Sequence, residues 1–411
     1  MGDRHVSVGA SRDAWLLAVC ASRIFLYANF MVYAACLPVV IDDWNMSATE
    51  AGTVSSAFML AYAGSLVLFS WLADRFGAKR VVQISACLSA LFALLFAFGA
   101  RSYLTALVLY ALAALPQGGV YTPLVMLFAE RYEARVRGRV MGWLIASTSV
   151  GYAFSLVVSG LALLTGGYEF AFIVTGLLPA LGAVILCAAL KDTPNRIHSR
   201  DGQGGLISVL RRSRDGGRLI AGYTAHCWEL LGMWAWLPAF LATSMALAGT
   251  ASLQAAGYGA WLSAALHLVG ALAAFSMGRL SDRLGRRAVL LGLAFIGAAM
   301  SLSIGWLVAF PVWILLVLGV IYSFAAIGDS PVLSTALSEA VPPSHLGSAL
   351  ALRSLLGFTA GAIAPSAFGS VLDLAAPAGA GVAWGLAFAV LGLGGVIATV
   401  CAMRLRRDRP G

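Results

Sequence analysis

The chain has 411 residues, of which 60% are hydrophobic and only 11% charged, with 45 glycines and 11 tryptophans; its mean hydropathy is +0.88. So much apolar surface cannot be hidden in the core of a water-soluble domain of this size, so an ordinary soluble fold is excluded and lipid is the expected surroundings. The formal net charge of +9 raises nucleic acid as a partner, but the placement of the basic residues along the chain argues against it.

Residues Met1 to Asp13 are polar and show no small-residue cleavage site behind a short apolar core, so no signal peptide is expected and the first apolar stretch directs insertion. Twelve apolar stretches follow, each about 20 residues or more, the length that crosses ~30 Å of hydrocarbon. They fall at 14–40, 49–72, 80–99, 103–129, 139–163, 169–190, 218–244, 255–278, 288–309, 312–337, 346–372 and 380–403. One long polar segment, Lys191 to Arg218, rich in Arg, Ser, Gly and Asp, divides them six and six and reads as a linker. The expected fold class is therefore an all-α integral membrane protein with twelve transmembrane helices in two six-helix bundles. The expected domains are a first bundle over 1–190, a linker over 191–217 and a second bundle over 218–411.

With both termini on one side, that side carries Arg4, Arg12, Arg75, Lys79, Arg80, the arginines from Arg131 to Arg139, the linker, Arg279 through Arg287, and Arg404 to Arg409. Apart from Arg23, Arg101 and Arg353, this is 24 of the 27 Lys and Arg. The opposite loops hold Arg101 with Asp42, Asp43, Glu50 and Glu169. The positive-inside rule then predicts cytoplasmic termini, and the basic excess is an orientation signal. The six cysteines fall in or at the edges of apolar stretches without a CxxC pair, and are expected to be buried free thiols with no disulfide or metal role.

The chain repeats itself. Ser70-Trp71-Leu72-Ala73-Asp74-Arg75-Phe76-Gly77-Ala78-Lys79-Arg80, between spans 2 and 3, returns 208 positions later as Gly278-Arg279-Leu280-Ser281-Asp282-Arg283-Leu284-Gly285-Arg286-Arg287, between spans 8 and 9. Gly77 and Gly285 suit a tight turn between adjacent helices. Thr122-Pro123 and Ser330-Pro331 lie at the same offset, so the two halves are a parallel duplication. Span 11 follows Pro342-Pro343-Ser344, a proline pair and a capping serine, which aims unsatisfied amides and a positive helix end at the loop that carries Asp74.

In helix count, central linker and twice-repeated loop, the whole chain resembles the major facilitator superfamily of secondary transporters. The resemblance implies secondary active transport by alternating access, with two halves rocking about a central site. It also implies that Asp74, set against the start of span 11, holds the cytoplasmic side shut with Arg75, Glu130, Arg137 and Arg139 as partners. Asp282, followed by Arg283, mirrors it near Arg137 and Gly138 at the start of span 5. A monomer in the plasma (inner) membrane is the family expectation. Two departures weaken a resemblance to the drug/proton antiporters of the superfamily: Gln117-Gly118 is present, but Ala114 stands where an arginine is usual, and span 5 reads Ser149-Val150-Gly151-Tyr152 without a proline.

Ionisable residues inside the spans are the candidate site, because a charge at the bilayer centre costs at least ~2.5–3.5 kcal/mol. Arg23, His226, Glu229, Asp329 and Arg353 all fall roughly 12–18 Å from the cytoplasmic face at 1.5 Å per residue, and a shared depth suggests one aqueous pocket. The resemblance places spans 1, 4, 7, 10 and 11 around the central cavity. Arg23 and Arg353 are expected to grip an anionic group with their two-pronged donor faces, and Glu229 or Asp329 to carry a coupling proton. A structural ion pair of Arg23 with Asp329 or Glu229 is the competing expectation. His226 is a candidate substrate-binding residue and, one turn from Glu229, a candidate proton-relay partner, while His267 is expected to be a plain bundle histidine. Tyr27, Phe30 and Tyr33 with Trp228, Trp234 and Trp236 are candidate walls for a planar solute.

The function expected is proton-coupled movement of a small organic solute, anionic in the first reading. The alternative is proton-driven efflux of a hydrophobic or cationic compound, with a non-transporting membrane sensor as a distant third. No catalytic group, metal site, cofactor or nucleic-acid partner is expected; the partners are the solute, protons and the bilayer.

Overall fold

The computed structural model describes residues 13–197 and 213–406. The polar stretch before Asp13, the centre of the predicted linker (198–212), and the last basic residues Arg407 and Arg409 lie outside the described residues, as do the side chains of Arg135, Gly138, Pro343 and Ser344. All regular structure among the described residues is helical, the arrangement that satisfies every backbone amide without water.

Asp13 opens the chain's first helix by accepting from the amides of Trp15 and Leu16. Span 1 is not one helix. α1 (Ala14–Leu26) gives way to a single 3-10 turn (Tyr27–Asn29), and α2 (Val32–Asp43) resumes. The groups released by the break find side-chain partners. The Ala28 carbonyl accepts from Ser155 Oγ at 2.5 Å, the Phe30 carbonyl from Tyr110 at 2.7 Å and the Leu26 carbonyl from Gln117 at 3.1 Å, while the Met31 amide donates to Ser155 Oγ at 3.1 Å. Irregular backbone persists at membrane depth only where it is buried in protein in this way.

α3 (Ala48–Phe76) starts at a capping box in which Ser47 and Glu50 satisfy each other's amides. α4 (Ala78–Gly99) and α5 (Tyr103–Arg131) follow. The 56 residues of α6 (Ala134–Ala189) would reach about 84 Å as one rod, far beyond the bilayer. Gly167, at φ 76°, breaks them into two arms. Tyr168, just past the break, donates to Asp43 at the end of α2. The ends of α5 and α6 instead meet the start of α1, through Tyr132 to Asp13 at 2.6 Å and Trp15 to Thr193 at 3.1 Å. The arms therefore run from the terminus-bearing face to the opposite one and back.

α7 (Arg214–Leu247), α8 (Ser252–Leu284), α9 (Arg286–Ile304), α10 (Val312–Ala340), α11 (Pro343–Ala375) and α12 (Ala380–Met403) complete the chain. Among the described residues, eleven helical stretches are long and apolar enough to span a membrane, with both arms of α6 counted in one stretch. All six cysteines are free, but Cys20, Cys36 and Cys227 alone are buried; Cys87 is exposed on α4, contrary to the expectation for all six.

Gly77 and Gly285 adopt φ of 89° and 88° at the two repeated loops, where only glycine is unstrained. The first loop is clamped by Asn195, which donates to the Phe76 carbonyl at 2.9 Å and accepts from the Arg80 amide at 3.2 Å. A Cβ at Gly77 would collide with that amide group. Gly77→Ala is expected to lower stability by about 1–2 kcal/mol, whereas Gly278→Ala, in open space inside α8, should be neutral or slightly stabilising. Thermal unfolding in detergent compares the two; equal midpoints would contradict the strain argument.

The N-terminal helices meet the C-terminal ones closely on the face away from the termini. Gly52 of α3 lies under the Pro365 carbonyl of α11, and Gly369 lies against the Ala48 carbonyl, with no room for a Cβ at either. Trp261 of α8 donates to the Val157 carbonyl of α6 at 3.1 Å. Asp373, near the end of α11, accepts from the amides of Ala48 and Thr49 at 2.8 and 2.7 Å and from the Thr49 hydroxyl at 2.5 Å. A carboxylate against the positive start of α3 is a charge-assisted clasp between the two parts of the chain. Asp373→Ala should raise the reactivity of a cysteine placed at Tyr62 toward an impermeant thiol reagent from that face, by about fivefold or more if the clasp contributes ~1 kcal/mol. Unchanged reactivity would show that glycine packing alone seals the face.

Candidate substrate site

α1 carries Arg23 into the interior just before the chain breaks at Tyr27. Arg23 is fully buried; its Nη1 donates to the Leu144 carbonyl at 2.6 Å, and its Nη2 donates to Thr148 at 2.6 Å and Tyr27 at 3.2 Å. The guanidinium also lies over the rings of Tyr27 and Tyr121, 5.2 and 5.5 Å from their centroids. On α11, Arg353 donates to Ser334 at 2.7 Å and stacks 4.1 Å from the ring centroid of Tyr223. Two guanidinium groups, one from the N-terminal and one from the C-terminal helices, are thus each held on tyrosine rings, Arg23 on Tyr27 and Tyr121 and Arg353 on Tyr223.

Neither arginine has a carboxylate partner among the described residues, and the Nε–H of each is buried without a hydrogen bond. Ring faces and neutral acceptors keep such cations tolerable in a low dielectric, each desolvated cation–π contact being worth about 2 kcal/mol. They leave the positive charge uncompensated. Idle, buried donors on two cations are what an anionic ligand would satisfy. The competing ion pair of Arg23 with Asp329 or Glu229 is absent from the structure.

Aromatic rings enclose the same region. Phe30 packs on Tyr152 with centroids 4.5 Å apart, Tyr152 meets Trp234 at 5.5 Å, Trp234 meets His267 at 4.9 Å and Tyr62 meets Phe358 at 5.6 Å. The Tyr152–Trp234 and Tyr62–Phe358 contacts cross from N-terminal to C-terminal helices. Trp228 does not join them. Its indole donates to the Val390 carbonyl of α12 at 3.0 Å. Trp236 is likewise core, stacked on Phe368 and donating to the Pro365 carbonyl, and Tyr33 packs on Tyr110.

The other three intramembrane groups lie within the C-terminal helices. His226 Nδ1 lies 2.9 Å from Asp329 Oδ1, close enough for an ion pair but not aligned as a hydrogen bond. Its Nε2 meets Ser330 Oγ at 2.9 Å. Ser334 Oγ donates to the Ser330 carbonyl at 2.8 Å and accepts from Arg353. A continuous polar chain therefore joins Asp329 to Arg353 through His226, Ser330 and Ser334. Glu229 accepts from Ser301 of α9 at 2.6 Å, and Ser301 is hydrogen-bonded to Tyr322 of α10. Among the described residues no group of three or more His, Cys, Asp or Glu is arranged to hold a metal.

At the repeated loops, Asp282 pairs with Arg286 at 2.5 Å, and Arg286 also bonds Glu339 of α10 at 3.0 Å. Arg137 donates to the Ala129 and Tyr132 carbonyls at the end of α5, not to Asp282. Arg75 lies over Trp71, and Arg283 is exposed. Asp74 and Glu130 each have an interaction partner. Tyr121, Tyr152, Tyr223, Ser301, Tyr322, Glu339 and Asp373 escaped the sequence reading; Glu339 alone had a signal there, as the 209-residue counterpart of Glu130.

Known proteins resemble this chain over most of its length. A probable 4-methylmuconolactone transporter of Cupriavidus pinatubonensis is 26% identical over 330 residues, covering 76% of this chain and 73% of the relative. The cis,cis-muconate transport protein of Acinetobacter baylyi is 26% identical over 383 residues, 89% of this chain and 87% of the relative. A bacterial homologue of the human lysosomal transporter Spinster, solved in an inward-facing and unoccupied conformation, shares the fold with a TM-score of 0.76 at 16% identity, covering 97% of this chain and 96% of that one. The family model of the Major Facilitator Superfamily matches residues 19–269 and 255–411. The chain is a multi-pass membrane transporter, not an enzyme, and belongs to the Major Facilitator Superfamily.

Proposed function

We propose that the chain is a proton-coupled secondary transporter that moves a small, unsaturated or aromatic organic anion by alternating access. The observation that carries this reading is the pair Arg23 and Arg353, contributed by different parts of the chain and each held by tyrosine rings and neutral acceptors without a carboxylate partner among the described residues. An anion bridging them would draw the two parts together, and closure around it is the differential contact that alternating access requires. The solutes named for the two relatives fit this chemistry. Muconate is a planar dicarboxylate, suited to two guanidinium groups and aromatic walls.

In this reading the two arms of α6 make the spans twelve, in two six-helix halves (1–190 and 218–411) joined by the segment 191–217. Both termini are cytoplasmic and the protein works as a monomer in the plasma membrane. Tyr27 positions Arg23, and Asp329 with His226 carries the proton. Glu229, already engaged by Ser301, is the second candidate. Asp74, Arg75, Gly77, Glu130 and Arg137, with Asp282, Arg283 and Gly285, form the gate on the terminus-bearing side.

The test is uptake of cis,cis-muconate into proteoliposomes under an inward acid gradient. Accumulation that collapses with a protonophore and is lost in Arg353→Met supports proton-coupled anion uptake. Gradient-driven export of a lipophilic cation, lost in Glu229→Gln, would replace it with the efflux reading.

A further inference from the structure

A narrow crevice lies within the C-terminal helices, apart from the interface that holds Arg23 and Tyr121. Arg218 and Gly222 of α7, Ala398 and Cys401 of α12, and Leu405 just beyond α12 line it, and Asp329 of α10 closes its inner end. It has room for about one water molecule, too little for an organic solute. Arg218 marks the terminus-bearing end, where it pairs with Asp215 at 2.8 Å and Asp215 lies 3.8 Å from Arg406. At the other end Asp329 is only 5% exposed, and its Oδ1 makes no hydrogen bond.

The groups around that carboxylate are few. α7 presents His226, Cys227 and Glu229. α12 presents Cys401, and α9 lines the crevice with Leu290 and Ala294 alone. α11 reaches it only through Arg353, Ser334, Ser330 and His226. A single water set against a buried acid relays a proton and leaves no space for a solute, and the Arg218 charge beside it is offset by Asp215.

We infer that this crevice is the route by which Asp329 exchanges protons with the terminus-bearing side, separate from the path of the substrate. Hydronium at the mouth hands a proton along the water to the Asp329 carboxylate, leaving a neutral acid and water. The inference rests on the proton-coupled reading above and deepens it by giving the proton a path of its own.

The experiment needs no substrate. The full chain, purified in detergent, is jumped from mildly alkaline to mildly acidic pH while carboxyl protonation is followed by time-resolved infrared absorption, with Asp329→Asn defining the share due to Asp329. Filling the crevice by Ala398→Leu, or by attaching a methanethiosulfonate group to Cys401 with Cys401→Ser as the unreactive control, should slow that share by about tenfold or more. The same reagent on Tyr121→Cys in the Cys401→Ser background, with the added thiol in the central region, should leave it unchanged. An Asp329 share that keeps its speed in both filled proteins, or slows only with Tyr121→Cys, overturns the separate route while leaving proton coupling intact. No infrared difference from the parent in Asp329→Asn would overturn Asp329 as the proton carrier, and none in either Asp329→Asn or Glu229→Gln would overturn the proton-coupled reading itself.

Discussion

Arg23→Met is expected to abolish measurable muconate uptake while the protein still inserts and folds. The methionine keeps the apolar stem packed but removes a buried cation whose ligand has no other charge on that side of the site. Truncating one member of a buried, hydrogen-bonded charge pair costs about 2–5 kcal/mol, roughly 30-fold or more in affinity. Part of the effect is structural, because the Leu144 carbonyl loses its donor, at about 1–3 kcal/mol. Two companions separate the parts. Thr148→Val removes one neutral acceptor of Arg23 and keeps the charge, so affinity should fall only severalfold. Arg353→Met removes the opposing cation, whose hydrogen-bond partner is Ser334 on the neighbouring helix, and should match Arg23→Met in lost affinity with a smaller loss of thermal stability. Equal uptake by the parent and both arginine variants would leave the two cations without a role in binding.

The second large effect is expected at Asp329. Asparagine has nearly the same shape but cannot take up a proton, so Asp329→Asn should reduce acid-driven accumulation by about two orders of magnitude. Exchange of substrate across the membrane at equal pH requires no net proton movement and should persist. The polar chain from Asp329 through His226, Ser330 and Ser334 to Arg353 explains how the states of the two sites depend on each other without contact between proton and substrate. His226→Gln keeps a polar side chain but loses the imidazole, and should weaken coupling while exchange survives. If Asp329→Asn lost exchange and accumulation together, Asp329 would be a binding or structural residue. Comparing accumulation with equal-pH exchange in the same proteoliposome preparation makes the distinction.

Much of the fold is legible in the amino-acid sequence because lipid demands so much of the backbone. A stretch with the length and composition to span has few alternatives to a helix, and the predicted windows fall on the observed helices. Gly77 and Gly285 could be read locally, since a positive φ is a demand on a single residue. The break at Tyr27–Asn29 could not. No glycine or proline marks it, and the side chains that accommodate it, Tyr110, Gln117 and Ser155, come from helices distant in sequence.

The candidate site divides along the same line. Sequence gives the depth of an intramembrane charge at 1.5 Å per residue, but not its direction around the helix, which turns by about 100° per residue. Depth singles out Arg23, His226, Glu229, Asp329 and Arg353, but not that Arg353 faces Tyr223 beside the His226–Asp329 pair while Arg23 lies against Tyr27 and Tyr121. Trp228 was misplaced for the same reason, being on a suitable helix at a suitable height but facing α12. Asp373 resembles an ordinary loop-side acid until the start of α3, 324 residues away, is placed against it.

The most direct test of an anion held between two arginines is ligand-induced stabilisation of the purified protein by cis,cis-muconate and by its uncharged dimethyl ester. The diacid should raise the unfolding temperature, with saturation near 100 times its Kd worth about 2.7 kcal/mol. The ester should not, and the diacid's effect should vanish in Arg23→Met and Arg353→Met. Stabilisation by the ester as strong as by the diacid, or by the diacid in both arginine variants, would contradict the account.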